Sequence, residues 1–92
     1  MILRMLDKEG RTTYIINLDA FMDFYVENDK RVNGEPTVVG WSPNGKATPT
    51  ENIFSFDTEK QAYDFLTFIG NCYVENKRCI NFHKDTQKYE VI

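Results

Sequence analysis

Thr58 and Gln61 stand three residues apart, just ahead of Ala62, Phe65, Leu66 and Ile69. That arrangement fits a capping box: the threonine hydroxyl accepts an early helical N–H while the glutamine amide reaches back to the threonine N–H. The apolar residues that follow fall at i, i+3, i+4 and i+7, one face of a helix. Glu59 in the first turn suits the positive end of the helix dipole. The pattern predicts an amphipathic helix over about 59–70, closed by Gly70 as a left-handed cap. The alternative is a helix that runs through Cys72 and Tyr73 to about 75, at a cost of about 1 kcal/mol for an interior glycine.

Most of the remaining chain has the signature of strands. Ile2–Leu6 and Thr12–Leu18 are rich in β-branched and aromatic residues and flank Asp7-Lys8-Glu9-Gly10, which predicts a hairpin. Asp19–Asn28 is open to two assignments. With period 2, Ala20, Met22, Phe24 and Val26 share one face and Phe21, Asp23, Tyr25 and Glu27 the other, and this strand is preferred to a helix capped by Asp19. Asn33-Gly34 and Pro43-Asn44-Gly45 mark turns around a strand at Thr37–Trp41. Asn52–Phe56 follows as a strand. Cys79–His83 and Lys88–Ile92 flank Lys84-Asp85-Thr86-Gln87 as a C-terminal hairpin. The fold class is therefore α+β: an antiparallel meandering sheet of about five to seven short strands, with one helix packed on one face. Short connections favour antiparallel neighbours, since parallel strands need long crossovers.

The chain has 92 residues, 41% hydrophobic and 27% charged. That composition excludes a disordered tail, a collagen-like repeat and a disulfide scaffold, and the length predicts a single domain over 1–92. Eleven basic and fourteen acidic residues leave a net charge of −3. An acidic protein of this kind is poorly suited to the nucleic-acid backbone, so nucleic acid is not an expected partner. Residues 70–92 are mildly basic, with Lys77, Arg78, Lys84 and Lys88 against Glu75, Asp85 and Glu90. The two cysteines, Cys72 and Cys79, make no disulfide framework. With neither a signal peptide nor an apolar run of membrane-spanning length in view, a cytoplasmic protein with free thiols is expected.

The candidate chemistries are thin. Cys72, Cys79 and His83 lack the ligand number and spacing of a zinc site. On a strand Cys79 and His83 share a face but stand about 13 Å apart, too far for a nucleophile–base pair. Neither Ser42 nor Ser55 sits in a Gly-x-Ser-x-Gly turn. Asp19, Asp23 and Glu27 would form an acidic stripe on a helix, but on a strand Asp23 and Glu27 simply face solvent. Glycine-rich phosphate cradles are absent from the sequence. Neither catalytic residues, nor a metal, nor a cofactor is expected. Basic and aromatic residues interleave only at Arg78, Phe82, His83 and Lys84, the set that would serve a small nucleotide ligand.

Seven Phe, five Tyr and one Trp are many for a chain of this length. On the helix, Tyr63 and Phe68 flank the core face and widen the apolar arc to about 220°, more than one sheet face covers. The strand register of 19–28 likewise turns Phe21 and Tyr25 away from the core. Single exposed rings are ordinary on a protein surface. A set of them predicts a contact patch, because Tyr, Trp and Phe concentrate where proteins bind one another. The sequence thus predicts a small non-enzymatic interaction module, an inhibitor or regulator that blocks a partner's surface. The partner would be another protein or a second copy of the chain. Phe21, Tyr25, Trp41, Tyr63 and Phe68 would be anchors, with Asp23 and Glu27 as the polar rim. A nucleotide-binding module is the alternative, and a small enzyme using Cys79 or the Asp19, Asp23 and Glu27 carboxylates a remote third.

Overall fold

A computed structural model describes residues 1–28, 34–43 and 49–92. The protein is α+β, with seven short strands in two sheets and one sixteen-residue helix among the described residues. Its backbone gathers into two compact units: Met1–Asp19 with Asn71–Ile92, and Ala20–Gly70.

The first unit holds a four-stranded sheet in the order β2-β1-β6-β7. Its strands are β1 (Ile2–Leu6), β2 (Thr12–Asn17), β6 (Cys79–His83) and β7 (Lys88–Val91). The β1–β2 and β6–β7 hairpins form where the turn residues predict them. Asp7 organises the first turn, its Oδ1 accepting from the Glu9 N–H (3.0 Å) and the Arg11 N–H (2.9 Å), while Gly10 takes φ +79°. Gln87 closes the second turn at φ +57°.

β1 and β6 pair in parallel, Leu3 beside Ile80 and Met5 beside Phe82. The expectation of a purely antiparallel meander is corrected here. Connection length constrains strands that follow each other, whereas β1 and β6 are separated by most of the chain, long enough for a crossover. One face of this sheet is closed by Leu3, Met5, Ile16, Ile80 and Phe82, all at most 4% exposed. The other face carries Arg4, which donates to Asn81 Oδ1 at 2.9 Å, and the exposed or half-buried Ile2, Ile15 and His83.

The second unit holds a three-stranded antiparallel sheet, β3 (Asp23–Glu27), β4 (Thr37–Trp41) and β5 (Thr50–Ser55), with β4 in the middle. Val38 and Val39 are both buried, so β4 is covered on either side. Thr37 is buried too, and its hydroxyl is satisfied by Ser55 Oγ at 2.8 Å and the Glu35 carbonyl at 3.0 Å. The predicted strand within Asp19–Asn28 is present, but it begins only at Asp23, because Leu18–Ala20 forms a 3-10 turn. Met22, expected on the core face, is 67% exposed for that reason. Of the two expected turns around β4, Gly34 adopts φ +76°. Asn33, Asn44 and Gly45 lie outside the described residues.

The helix α1 spans Glu59–Val74. Its capping box is formed as the sequence predicts: the Gln61 N–H donates to Thr58 Oγ1 at 3.2 Å and the Thr58 N–H to Gln61 Oε1 at 3.1 Å. Ala62, Phe65 and Ile69 are buried, and Phe65 packs on Phe56 with ring centroids 5.6 Å apart. The helix passes through Gly70 and ends at Val74, with Asn76 just beyond it. Lys77 N–H reaches Cys72 O (2.9 Å), Asn76 N–H reaches Tyr73 O (3.2 Å), and Asn76 holds φ +57°. That is a Schellman motif with asparagine in the left-handed position.

Candidate protein-interaction surface

The exposed edge of the three-stranded sheet is built by alternation along β3. Register places Asp23 opposite Trp41, Tyr25 opposite Val39 and Glu27 opposite Thr37. Opposite residues share a sheet face, so Asp23, Tyr25, Glu27 and Trp41 lie on one side. Asp23 and Tyr25 are exposed, Tyr25 by 37%, while Glu27 and Trp41 are half-buried. Val39 and Thr37 form a buried floor between them. The result is a strip about 13 Å long with Tyr25 between Asp23 and Glu27, and Trp41 beside Asp23 on the neighbouring strand.

An acidic cleft includes the residue that follows the strip in the chain. Glu27 is followed by Asn28, which lines a cavity of about 210 Å³ with Gly34, Glu35, Pro36, Asp57 and Glu59. The Phe56 N–H donates to the Pro36 carbonyl at 2.8 Å and holds those two segments side by side. The volume is below the roughly 300–1,000 Å³ of most small-molecule sites. Its lining is acidic, with Glu35, Asp57 and Glu59. Sequence reasoning missed this cleft, because Glu35, Asp57 and Glu59 share no periodicity and meet only through the pairing of β4 with β5.

The structure brings together four of the seven predicted contact residues, Asp23, Tyr25, Glu27 and Trp41. Phe21 does not join them. Its ring is half-buried over Gly40 and meets Phe24 edge-on at 5.7 Å, on the opposite face of the sheet. Tyr63 is 48% exposed and Phe68 half-buried. Five residues apart on α1, they point about 140° apart and make no common surface.

The exposure of the rings divides by chemistry. All seven Phe are buried or half-buried, whereas Tyr14, Tyr25, Tyr63 and Tyr73 are exposed. A phenol keeps its hydroxyl in water while the ring covers neighbouring apolar surface. Tyr73 shows this directly, donating to Asp19 Oδ1 at 2.8 Å.

The residues proposed for a nucleotide are not assembled. Phe82 is fully buried and stacks on Tyr89 at 6.0 Å, so its faces are not open to a base. Arg78 and Lys84 lie beyond opposite ends of β6, about 20 Å apart at the usual strand rise. His83 Nε2 sits 3.3 Å from Glu90 Oε1. Cys79 and His83 occupy the two ends of β6, at the strand separation that keeps them out of reach of each other. Of the three carboxylates considered for an acidic stripe, Asp19 is in the 3-10 turn, and Asp23 and Glu27 close the two ends of β3. Among the described residues, no group of three or more His, Cys, Asp or Glu is placed to hold a metal ion. Nor, among them, is any helix long and apolar enough to cross a membrane.

No family model, curated protein or solved structure matches this chain.

Proposed function

We propose that this chain is a small non-enzymatic interaction module, an inhibitor or regulator that blocks a basic surface of a partner protein. The observation that supports the reading is the β3 strip, in which Tyr25 lies between Asp23 and Glu27 with Trp41 beside Asp23, and which is followed in the chain by Asn28 of the acidic cleft. An arginine from a partner finds both of its preferred contacts there, a ring face to stack on and a carboxylate to pair with. Rings in such a strip supply most of the affinity, and the carboxylates set orientation and association rate. Blocking by occupancy needs no catalytic group. Cys72 and Cys79 are both free thiols, which supports a reducing, cytoplasmic setting for the same role.

The test is affinity capture from the native host with the intact chain and two variants. Asp23→Lys combined with Glu27→Lys reverses the charge of the strip, and Tyr25→Ala removes its exposed ring. The captured protein should be lost with the charge reversal, weakened with Tyr25→Ala, and released as salt rises. Equal recovery with all three baits would remove this strip as the binding surface. A rise in melting temperature with a nucleotide, absent any captured protein, would favour the ligand-binding alternative.

A further inference from the structure

Arg4 lies on β1, an inner strand of the four-stranded sheet, with Ile15 opposite it on β2 and Asn81 opposite it on β6. Its side chain is half-buried, and its Nε donates to Asn81 Oδ1 at 2.9 Å. That bond fixes the plane of the guanidinium and leaves the two terminal nitrogens as a fork for a carboxylate. Among the described residues, no carboxylate pairs with Arg4. Arg11, by contrast, is taken up by Asp7 and Glu9. The face around Arg4 is apolar on one side, where Ile15 is 57% and Ile2 38% exposed. An arginine already held in one plane loses less freedom on binding than a loose one.

The chain itself carries a surface complementary to this arginine. Asp23 and Trp41 stand opposite each other across β3 and β4, and Tyr25 follows on the same side. Asp23 is exposed and, among the described residues, pairs with no cation. Charge is divided along the chain in the same sense. Residues 20–70, which hold this strip, carry eight acidic side chains against four basic. Residues 1–19 and 71–92, which hold Arg4, carry six acidic against seven basic.

We infer that Arg4 of one copy of this chain seats on Asp23, Tyr25 and Trp41 of a second copy, so that the chain associates head to tail and covers its own strip. The inference rests on the reading of that strip as a seat for an arginine. The terminal nitrogens of Arg4 donate to the Asp23 carboxylate while the guanidinium plane stacks on a ring. Ile2 and Ile15 close around the contact and keep water from it, which strengthens the charged hydrogen bonds. The two surfaces differ and every copy offers both, so the contact is heterologous and builds a ring or an open chain rather than a two-fold pair. The consequence is regulation of the strip. A copy whose strip holds the Arg4 of its neighbour has no seat left for a foreign arginine, so self-association and partner binding compete.

Sedimentation velocity on the full chain over a dilution series tests the inference. The expected result is a mass above the 10.8 kDa of one chain that falls to it on dilution and as salt rises. Arg4→Glu and Asp23→Lys each bring like charges together, and each should weaken self-association at least about tenfold. Mixing the two variants should restore it, because the Arg4 of one then meets the Asp23 of the other and the two reversed charges also attract. Trp41 is the single tryptophan of the chain, so its emission reports on the strip and should change with concentration in the unmodified protein. A chain of monomer mass throughout the series would overturn the inference, as would a mixture of the two folded variants that stays monomeric. So would a Trp41 emission that is the same at every concentration, whether or not the variants fold. Arg4→Glu leaves the strip intact and should capture a basic partner at least as well as the unmodified chain. A monomeric chain that still captures one would overturn self-association alone and leave the reading of the strip standing.

Discussion

Phe21 lies across the backbone of Gly40. A Cβ at position 40 would stand 2.7 Å from two carbons of the Phe21 ring and 3.0 Å from a third. Contacts that short do not occur between real atoms, so an alanine at Gly40 must push the ring aside. The glycine therefore serves to let a side chain approach the middle strand of the sheet, and its φ lies outside the left-handed region.

Gly40→Ala should destabilise the protein by about 1–3 kcal/mol, the usual cost of overpacking. Phe21→Ala should also destabilise, through lost burial. The double variant should lose less than the sum of the two, because the added methyl then enters the space the ring has left. Urea unfolding of the four proteins checks this. Strict additivity would show that the ring and the glycine do not interact.

Gly70 has the opposite environment. It sits inside α1, is exposed, and has no heavy atom within 4 Å of the position a Cβ would take. Nothing in the packing requires glycine, so only its conformational cost remains. Gly70→Ala should stabilise the protein by about 0.5–1 kcal/mol. Asn76 is the true left-handed position, at φ +57°. Asn76→Gly should hold or raise stability there, whereas Asn76→Val should lower it by about 1–2 kcal/mol, the penalty of a branched side chain in that conformation. Thermal midpoints of the three variants decide whether the left-handed position that stops the helix is Asn76 or Gly70.

These two glycines show where the sequence was legible. The capping box, the helix face and both hairpins of the four-stranded sheet rest on residues within a few positions of each other, and their chemistry is local. Gly70 had two local roles available, cap or tolerated interior residue, and the choice depended on Asn76 and on the bonds it makes to Tyr73 and Cys72. The approach of Phe21 to Gly40 joins residues 19 positions apart, and it turned an expected contact residue inward. The parallel β1–β6 pair and the acidic cleft likewise depend on which distant segments meet. The β3 strip was legible because alternation within one strand defines it. Tyr63 and Phe68 were legible as flanks of the helix face, but being on one helix does not make them one surface.

Phe82 and Lys84 separate the packing role of the C-terminal hairpin from any ligand role. Phe82 is fully buried and stacked on Tyr89, while Lys84 is exposed in the turn. Phe82→Ala should cost about 3–5 kcal/mol, a large part of the roughly 5–15 kcal/mol that holds a typical domain together. Lys84→Ala should change stability by less than about 0.5 kcal/mol. Denaturant midpoints measure both. Nucleotide-induced stabilisation that disappears with Lys84→Ala would instead place a ligand at this hairpin.

The dependence of stability on pH should be set at its acid end by Asp7 and Asp19, and at its alkaline end by Tyr73. The Arg11 backbone N–H, with further help from the Arg11 guanidinium at 2.8 Å and the Glu9 N–H, holds the Asp7 carboxyl below its ordinary value of 3.8. The Met1 ammonium at 2.6 Å and then the Tyr73 hydroxyl lower Asp19 in the same way. A carboxyl with a lowered folded-state pKa contributes its full stability above the unfolded value and loses it as pH falls through the folded value. Stability from both groups should therefore be intact above about pH 4 and decline below it. Tyr73 behaves oppositely. Burial, followed by its hydrogen bond to Asp19, pushes the phenol above its usual value of 10. Its contribution is complete below pH 10 and is lost as pH climbs from there toward the raised value. Urea midpoints across the pH range should fall at both ends. Asp7→Asn should flatten the acid limb without touching the alkaline one, and Tyr73→Phe should remove the part of the alkaline decline that belongs to Tyr73. Ultraviolet titration should show the late-ionising phenol of Tyr73 in the unmodified protein and lose that step in Tyr73→Phe. A Tyr73 phenol that ionises at its usual value of 10 would mean that its bond to Asp19 is not held in solution.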